Sequence, residues 1–216
     1  MRKRIQIVVI LAAVVAAVSQ VGCASPLPSA TSAHSPTTEA GEARTYVNSE
    51  YGFSVTYPPE FVERGMPTGS ILGPVDFMVA FFDGSMADEV GVGKAMTSTV
   101  TVGVVKGPSS ISKTQERQYL KVFQDSCDAV AAHPEAAGAE YTTMKVLDSR
   151  IKRIRGRRCF VMEYTYQSDK QTLQHRMMRV FIAGDRAFMV NLEATDSRWQ
   201  NDLPTLTAIA DSLEVE

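Results

Sequence analysis

Alternating apolar and polar positions predict strands in the first half of the domain. Residues 53–57 (FSVTY) alternate apolar and polar side chains, which is the period of a half-buried strand. Residues 75–82 (VDFMVAFF) are apolar on both faces, as expected for an inner strand. Residues 97–106 alternate threonine with valine and predict a third strand. A turn at residues 48–52 precedes the first of these strands, and two prolines follow it.

A helix with its own start and stop signals interrupts the strands. Ser112 and Gln115 have the spacing of a capping box, in which each side chain binds the backbone of the other residue. The helix is expected to end at His133, because a residue before proline avoids helical geometry. The apolar stripe of this helix consists of Leu120, Phe123, Cys127 and Val130.

A strand meander and a second helix complete the pattern. Strands are predicted at residues 142–154, 159–167, 171–183 and 186–194, with a tight hairpin at Gly184 and Asp185. The last helix is expected to consist of two halves. Asp202 would cap the second half, and Pro204 would lie in the first turn of that half. The apolar positions of this helix are Trp199, Leu203, Leu206, Ile209 and Leu213. The order of elements predicts an α+β domain, an antiparallel β-sheet with helices packed on it.

Three segments resemble PsbP-like domains. They are YVNSEYGFSVTYPPEF at residues 46–61, RMMRVFIAGDRAFMVNLEA at 176–194 and IADSLEV at 209–215. The chain is also similar to DcrB-like bacterial lipoproteins. The resemblance covers about residues 46–215 and implies a PsbP-like α/β/α sandwich around an antiparallel sheet. It further implies a non-enzymatic assembly, accessory or interaction module, and it transfers no catalytic residue.

The N-terminus predicts export. Basic residues 2–4 precede an uncharged run at residues 5–18, which is shorter than the roughly 20 residues that span a bilayer. Small residues then lead to Cys23, with Gly22 before it and Ala24 after it. This segment resembles a bacterial lipobox, in which the cysteine becomes the lipid-carrying N-terminus of the mature protein. Two or three acyl chains would anchor the protein durably in a membrane, since each methylene group buried in the bilayer contributes roughly 0.8 kcal/mol.

Other readings of the N-terminus stay open. Gln20 departs from the lipobox pattern, because that position is usually aliphatic. Cleavage by an ordinary signal peptidase near Ala24 and a retained signal anchor are the alternatives. With lipidation, the chain divides into a signal peptide at 1–22, lipidated Cys23 with a disordered Ser/Thr/Pro tether at 23–44, and a single domain at 45–216. The protein would then be anchored to a bacterial membrane, on the periplasmic or extracellular side.

The net charge of the mature chain bears on the class of partner that it can bind. Without the three basic residues of the signal, 19 basic residues face 24 acidic ones, a net charge of −5. This does not favour nucleic acid as a partner, because binding to nucleic acid depends on neutralisation of its phosphates.

Cys127 and Cys159 could form a disulfide in an oxidising compartment, or remain two separate buried thiols.

No catalytic pattern accompanies the fold. The sequence contains no G-x-S-x-G, Walker loop, H-E-x-x-H or C-x-x-C motif. The protein is therefore predicted not to be an enzyme, with neither a cofactor nor a metal. His175 could act as a general base in an unrecognised hydrolase, the last of the alternatives.

The remaining feature with functional promise is a basic hairpin with the sequence RIKRIRGRR. Its cations are Arg150, Lys152, Arg153, Arg155, Arg157 and Arg158. Ile151 and Ile154 should lie on opposite faces of a regular strand, so these cations share a hairpin tip but not one face. They could contact anionic headgroups, an acidic partner or a wall polymer, or they could be a solvated hairpin.

The leading functional hypothesis is a lipid-anchored binding or accessory module. It would dock an envelope protein or polymer through its sheet edge, the loop at residues 83–95 or the basic hairpin. The alternative is a small-molecule binding protein with a pocket between sheet and helix, lined by aromatics such as Tyr164 and Tyr166.

Overall fold

The structure is a computed structural model that describes residues 41–65, 76–84, 98–106, 112–133, 143–167 and 172–216. The predicted signal peptide, Cys23, most of the tether and residues 85–95 of the loop lie outside these ranges. In chain order, the elements are β1 (Arg44–Asn48), β2 (Phe53–Tyr57), β3 (Phe61–Gly65), β4 (Phe77–Asp83), β5 (Thr99–Lys106), α1 (Lys113–Ala132), β6 (Lys145–Ile154), β7 (Arg157–Gln167), β8 (Leu173–Ala183), β9 (Arg186–Thr195), α2 (Asp196–Asp211) and β10 (Glu214–Val215).

The described strands form two antiparallel sheets. The main sheet has the order β3-β4-β5-β9-β8-β7-β6, and the small sheet has the order β1-β2-β10. The predicted antiparallel α+β fold is confirmed. Periodicity did not predict β3, β10 or the small sheet. The reason is that β3 buries only Phe61, which gives no alternation, and β10 has two residues.

Each face of the main sheet covers its own core. On one side, here called the α2 face, residues of the main sheet pack against the small sheet and α2, with Phe53, Phe188 and Trp199 almost fully buried. On the other side, the α1 face, residues of β7, β8 and β9 pack around Leu120 and Cys127 of α1. The sheet therefore lies between two helical layers, one of which also contains the small sheet.

The signals predicted for α1 are present at both ends. The hydroxyl of Ser112 accepts a hydrogen bond from the Gln115 N–H, and the Gln115 side chain accepts one from the Ser112 N–H at 2.9 Å. Such a cap contributes about 1 kcal/mol. The helix ends at Ala132 with His133 as its C-cap. Leu120 and Cys127 of the predicted stripe are buried, whereas the side chains of Phe123 and Val130 lie outside the described part.

The prediction that Asp202 caps a second half of the last helix is wrong. The helix α2 runs without a break from Asp196 to Asp211, with Pro204 inside it. The Asp202 carboxylate binds the Arg198 Nε at 2.9 Å and accepts a hydrogen bond from Ser98. A proline in a helix interior costs about 3 kcal/mol. The helix nevertheless continues past the proline, with Trp199 buried before it and Leu206 and Ile209 buried after it.

A tight turn positions the tip of the basic hairpin. Strands β6 and β7 are joined by Arg155 and Gly156, which both adopt positive φ, +48° and +80°. A two-residue hairpin with left-handed residues at both positions follows the natural twist of the strands, but an L-residue such as arginine adopts this conformation at a cost. Arg155 is the one non-glycine residue with positive φ in the described ranges.

Candidate functional site

The basic hairpin distributes its cations over both faces of the main sheet. Ile154 packs into the core of the α2 face and Ile151 into that of the α1 face, as the alternation predicted. The strand register places Arg153 opposite Arg158. The cations therefore divide into Arg150, Lys152 and Arg157 on the α2 side, Arg153 and Arg158 on the α1 side, and Arg155 in the turn.

Carboxylate partners are scarce along this hairpin. Arg150 forms an ion pair with Asp148, Nε to Oδ2 at 2.9 Å, although its side chain is 62% exposed. Arg153 donates to the backbone oxygen of Gly156 at 3.0 Å. Among the described residues, no carboxylate forms an ion pair with Lys152 or Arg158. The hairpin is thus a concentration of positive charge that its surroundings do not neutralise.

A cavity of about 230 Å³ lies between the hairpin tip, the α2 face of the sheet and the C-terminal end of α2. We call it the arginine cavity. Its walls include Arg155, Arg157, Arg179, Cys159, Phe181 and Asp211. Local sequence patterns do not predict this cavity, because Arg179 and Asp211 are 32 positions apart and meet only in the folded protein.

Each arginine of the cavity is held differently. Arg155 donates to the backbone oxygen of Asp211 at the end of α2. The Arg157 guanidinium carbon lies 5.2 Å from the centre of the Phe181 ring, within cation–π range. Arg179 is 9% exposed, and its Nη1 donates to Asp211 Oδ1 at 2.5 Å. The buried Nε of Arg179 has no hydrogen-bond partner in the described part of the chain.

The arginine cavity is electropositive. Three guanidinium groups face two carboxylates, those of Asp211 and Glu214, which leaves one positive charge in the wall. The carbonyl groups at the end of α2 offset part of that charge. Burial raises the pKa of the Cys159 thiol, so the thiol in the wall is protonated at neutral pH.

The two cysteines do not form the disulfide that the sequence allowed. Cys127 lies in the core of the α1 face and Cys159 in that of the α2 face, with the main sheet between them. Both are buried free thiols, which was the alternative interpretation. Burial, with a smaller contribution from Asp128, raises the pKa of Cys127, so this thiol is also protonated at neutral pH.

His175 occupies a closed position on the α2 face. Its Nε2 lies 2.9 Å from Glu163 Oε1, and its Nδ1 lies 3.1 Å from Asp196 Oδ1. Its ring stacks on Trp199 with 4.1 Å between centroids and 7° between planes. Because both ring nitrogens are bound to carboxylates, neither is free to take a proton from a substrate. This geometry favours a structural role.

Tyr164 and Tyr166, the aromatics predicted to line a pocket between sheet and helix, are part of a buried polar group. Both tyrosines are buried on the α1 face, in a group with Arg176 and Glu193 that we call the buried ion cluster. Arg176 donates from Nε and Nη2 to Glu193 Oε2, at 3.0 and 2.5 Å. The Tyr166 hydroxyl accepts from Arg176 at 2.7 Å and donates to Glu193. The sequence analysis missed this cluster, in which both tyrosine hydroxyls accept hydrogen bonds from Arg176.

Burial and the charge of Glu193 determine the electrostatics of the cluster. Burial alone would lower the pKa of Arg176, but the charge of Glu193 raises it well above its ordinary value, so the guanidinium remains charged. Burial raises the pKa of both Tyr164 and Tyr166. The one signal in the sequence was a pair of charges, Arg176 and Glu193, inside apolar strands. Within the described ranges, no group of three or more His, Cys, Asp or Glu residues could hold a metal ion.

Helices in the described part of the chain are too short or too polar to cross a membrane. Residues 1–40, which include the predicted signal, lie outside that part. Cys23 is therefore a site that the structure does not reach.

Comparison with known proteins gives fold-level relatives. No curated protein matches the chain in sequence. The solution structure of cyanobacterial PsbP (CyanoP) from Synechocystis sp. PCC 6803 is similar with a TM-score of 0.57 and 15% identity, over 86% of this chain and 99% of that one. A Bacteroides thetaiotaomicron structure has a TM-score of 0.49 and 15% identity, over 80% and 48%. LpqN of Mycobacterium tuberculosis, described as involved in cell envelope biogenesis, has a TM-score of 0.48 and 9% identity, over 82% and 92%.

The family itself is shown by sequence. The family model described as PsbP matches residues 41–215, which is most of the chain. The protein therefore belongs to the PsbP family, and the predicted PsbP-like fold is confirmed. The likeness to DcrB-like lipoproteins stays a prediction.

Proposed function

We propose that this PsbP-family protein is an exported, lipid-anchored binding module without catalytic activity, which docks an anionic component of the cell envelope on its basic hairpin. The observation that carries this proposal is the concentration of cations at residues 150–158, of which only Arg150 has a carboxylate partner among the described residues. Guanidinium groups bind carboxylates and phosphates through two parallel hydrogen bonds, so such a tip suits either anion.

Contrast with the rest of the chain strengthens the electrostatic argument. With the predicted signal removed, the net charge is −5, so a positive tip orients the molecule toward an anionic surface. Exposed charges are screened beyond about 8 Å at physiological salt, so docking through this tip should weaken as salt rises.

The position of the hairpin also supports contact. Strand β6 is an outer strand of the main sheet, so its hairpin lies at an edge of the sheet. Basic side chains on an edge strand also prevent edge-to-edge pairing between copies. The two roles give different results on substitution, because loss of edge protection produces aggregation and loss of docking does not.

Charge reversal on the hairpin tests docking. In a Cys23→Ser background, which removes the predicted lipid, Lys152→Glu, Arg153→Glu and Arg158→Glu should weaken binding to isolated envelopes. These three positions avoid the arginine cavity. Each basic residue near an anionic surface is worth about 1 kcal/mol, so the triple variant should lose about 100-fold in affinity. Co-sedimentation at low and high salt measures this.

The matched control makes the same charge change elsewhere. Lys113→Glu, Arg117→Glu and Lys121→Glu lie on the exposed side of α1 and alter the net charge by the same amount. This variant should bind within about twofold of the parent, because distant charges are screened. Equal losses in both variants would mean that net charge, and not the hairpin, controls binding. Aggregation of the hairpin variant alone would favour the edge-protection role.

The lipid anchor has its own test. Cys23→Ser should move the protein from the membrane fraction to the soluble fraction, since no acyl chain can then be attached. Gln20→Leu restores the aliphatic residue that is usual at this position, and it should retain the membrane association. A Cys23→Ser protein that remained in the membrane fraction would support the retained signal anchor instead.

A further inference from the structure

We infer that the arginine cavity binds a small monocarboxylate with an apolar body. The site differs from the docking surface of the basic hairpin, since it uses Arg155, Arg157 and Arg179 on the inner side of the tip. It does not depend on the docking proposal.

The polar half of the site is incomplete without an anion. Arg179 is more than nine-tenths buried, and its Nε–H has no acceptor within the described residues. A buried donor without an acceptor is costly, and a ligand oxygen beside it would remove that cost. The Arg157 guanidinium lies over Phe181 and forms no ion pair with a described carboxylate. Arg157 and Arg179 therefore both line the cavity, and each has hydrogen-bonding capacity that the described residues leave unused.

Charge fixes the ligand as a monoanion. The wall contains three arginines and two acidic residues, Asp211 and Glu214, so one negative charge balances the site. A carboxylate brings that charge, together with two acceptor oxygens. Inorganic phosphate carries more than one negative charge at neutral pH and has no apolar part.

The apolar half of the cavity accommodates a short hydrocarbon body. Phe181 and Val190 of the sheet and Leu213 beyond α2 line this part. The cavity has a volume of about 230 Å³. This is below the range of drug-sized pockets, about 300–1,000 Å³. An acid such as hexanoate, with eight non-hydrogen atoms, has a suitable size.

Titration of the purified full-length protein with sodium hexanoate at constant ionic strength tests this inference. Shifts of the arginine Nε–Hε signals in ¹⁵N-resolved NMR report on Arg155, Arg157 and Arg179. We expect saturable shifts at these residues. Hexanamide, the neutral analogue, should bind at least tenfold more weakly because it lacks the charge. Equal affinity for hexanoate and hexanamide, or tighter binding of inorganic phosphate, would overturn the inference.

Matched variants separate the cavity from the outer hairpin. Arg157→Gln removes one wall guanidinium and should weaken hexanoate binding about tenfold, the effect of losing a charge-assisted contact. Arg158→Gln, next in sequence but on the α1 side, should change affinity by less than about twofold. Equal effects of the two variants would contradict the assignment. A leucine-terminated tetrapeptide that bound more tightly than hexanoate would favour a protein C-terminus as the ligand and would also contradict it.

A second measurement needs no variant. Cys159 lines the cavity, whereas Cys127 lies on the opposite face of the sheet. Bound hexanoate should slow modification of Cys159 by methyl methanethiosulfonate at least fivefold and leave the rate at Cys127 unchanged. Absence of protection at saturating hexanoate would place the ligand elsewhere.

Discussion

Two arginines on the same strand have opposite environments. Arg176 and Arg179 are three positions apart in β8, so they point to opposite faces of the main sheet. Arg176 lies in the buried ion cluster, where Glu193 and two tyrosine hydroxyls accept its hydrogen bonds. Arg179 binds one carboxylate and borders a cavity, with its Nε unmatched by any described residue. The difference is the number of acceptors that the fold provides.

This difference in acceptors distinguishes an arginine that stabilises the fold from one that can bind a ligand. A buried charge is tolerated only when its hydrogen-bonding capacity is filled, as it is around Arg176. Where capacity is left beside an open volume, a ligand can fill it, as we infer for Arg179. The two faces should therefore respond differently to substitution: the α1 face in stability, and the α2 face in ligand affinity.

The largest stability effect is expected for Glu193→Gln. This change leaves the Arg176 guanidinium buried without its counter-ion, which costs about 3–5 kcal/mol in similar cases. Urea unfolding followed by the fluorescence of Trp199, the single tryptophan, measures the change. As a control, Arg176→Met with Glu193→Leu should recover most of the loss, because an apolar pair of similar volume leaves no charge unpaired. A loss below about 1 kcal/mol for Glu193→Gln would mean that water reaches the cluster.

The second prediction concerns alkaline pH. Burial, the largest cause, raises the pKa of Tyr166 above the ordinary value of 10.0, and Glu193 adds to the shift. The unfolded chain then loses this proton first, so the stabilisation is complete below pH 10 and falls as the pH rises further. Above pH 10, Tyr166→Phe should reduce the loss of unfolding free energy with rising pH by up to about 1.4 kcal/mol per pH unit. Urea unfolding at pH 9, 10 and 11 tests this, with Tyr119→Phe on α1 as the control. An unchanged slope would contradict it.

The sequence predicted the elements better than their contacts. Periodicity predicted β2, β5 and the meander, and the capping box at Ser112 and Gln115 marked the start of α1. Alternation also places Arg176 and Arg179 on opposite faces. Alternation does not identify the residue that each arginine contacts. Glu193 meets Arg176 through the pairing of β8 with β9, and Asp211 meets Arg179 because α2 folds back over the sheet. Such contacts between distant positions are invisible to local patterns.

On the α2 face, Arg179→Met should lower the free energy of unfolding much less than Glu193→Gln does. The partner Asp211 is 35% exposed, so water can solvate its carboxylate once the arginine is gone. Partly exposed ion pairs are worth about 0–1 kcal/mol, and methionine retains most of the apolar stem. We expect a loss of about 1 kcal/mol or less in urea unfolding. A loss equal to that of Glu193→Gln would show that the two faces do not differ in the way described.

The smallest stability effect is expected for Arg155→Gly, where two terms oppose each other. Glycine relieves the left-handed backbone at φ +48°, a gain of about 1 kcal/mol. The hydrogen bond from Arg155 to the Asp211 carbonyl is lost, at about 1 kcal/mol. The matched control, Asp185→Gly in the neighbouring hairpin, relieves no positive φ and should destabilise by about 0.5–1 kcal/mol through chain entropy. If Arg155→Gly leaves stability unchanged while hexanoate affinity falls, the residue serves the cavity and not the fold. If stability falls as far as in Asp185→Gly, the contact with α2 outweighs the strain, and Arg155 belongs with the closed side of the comparison.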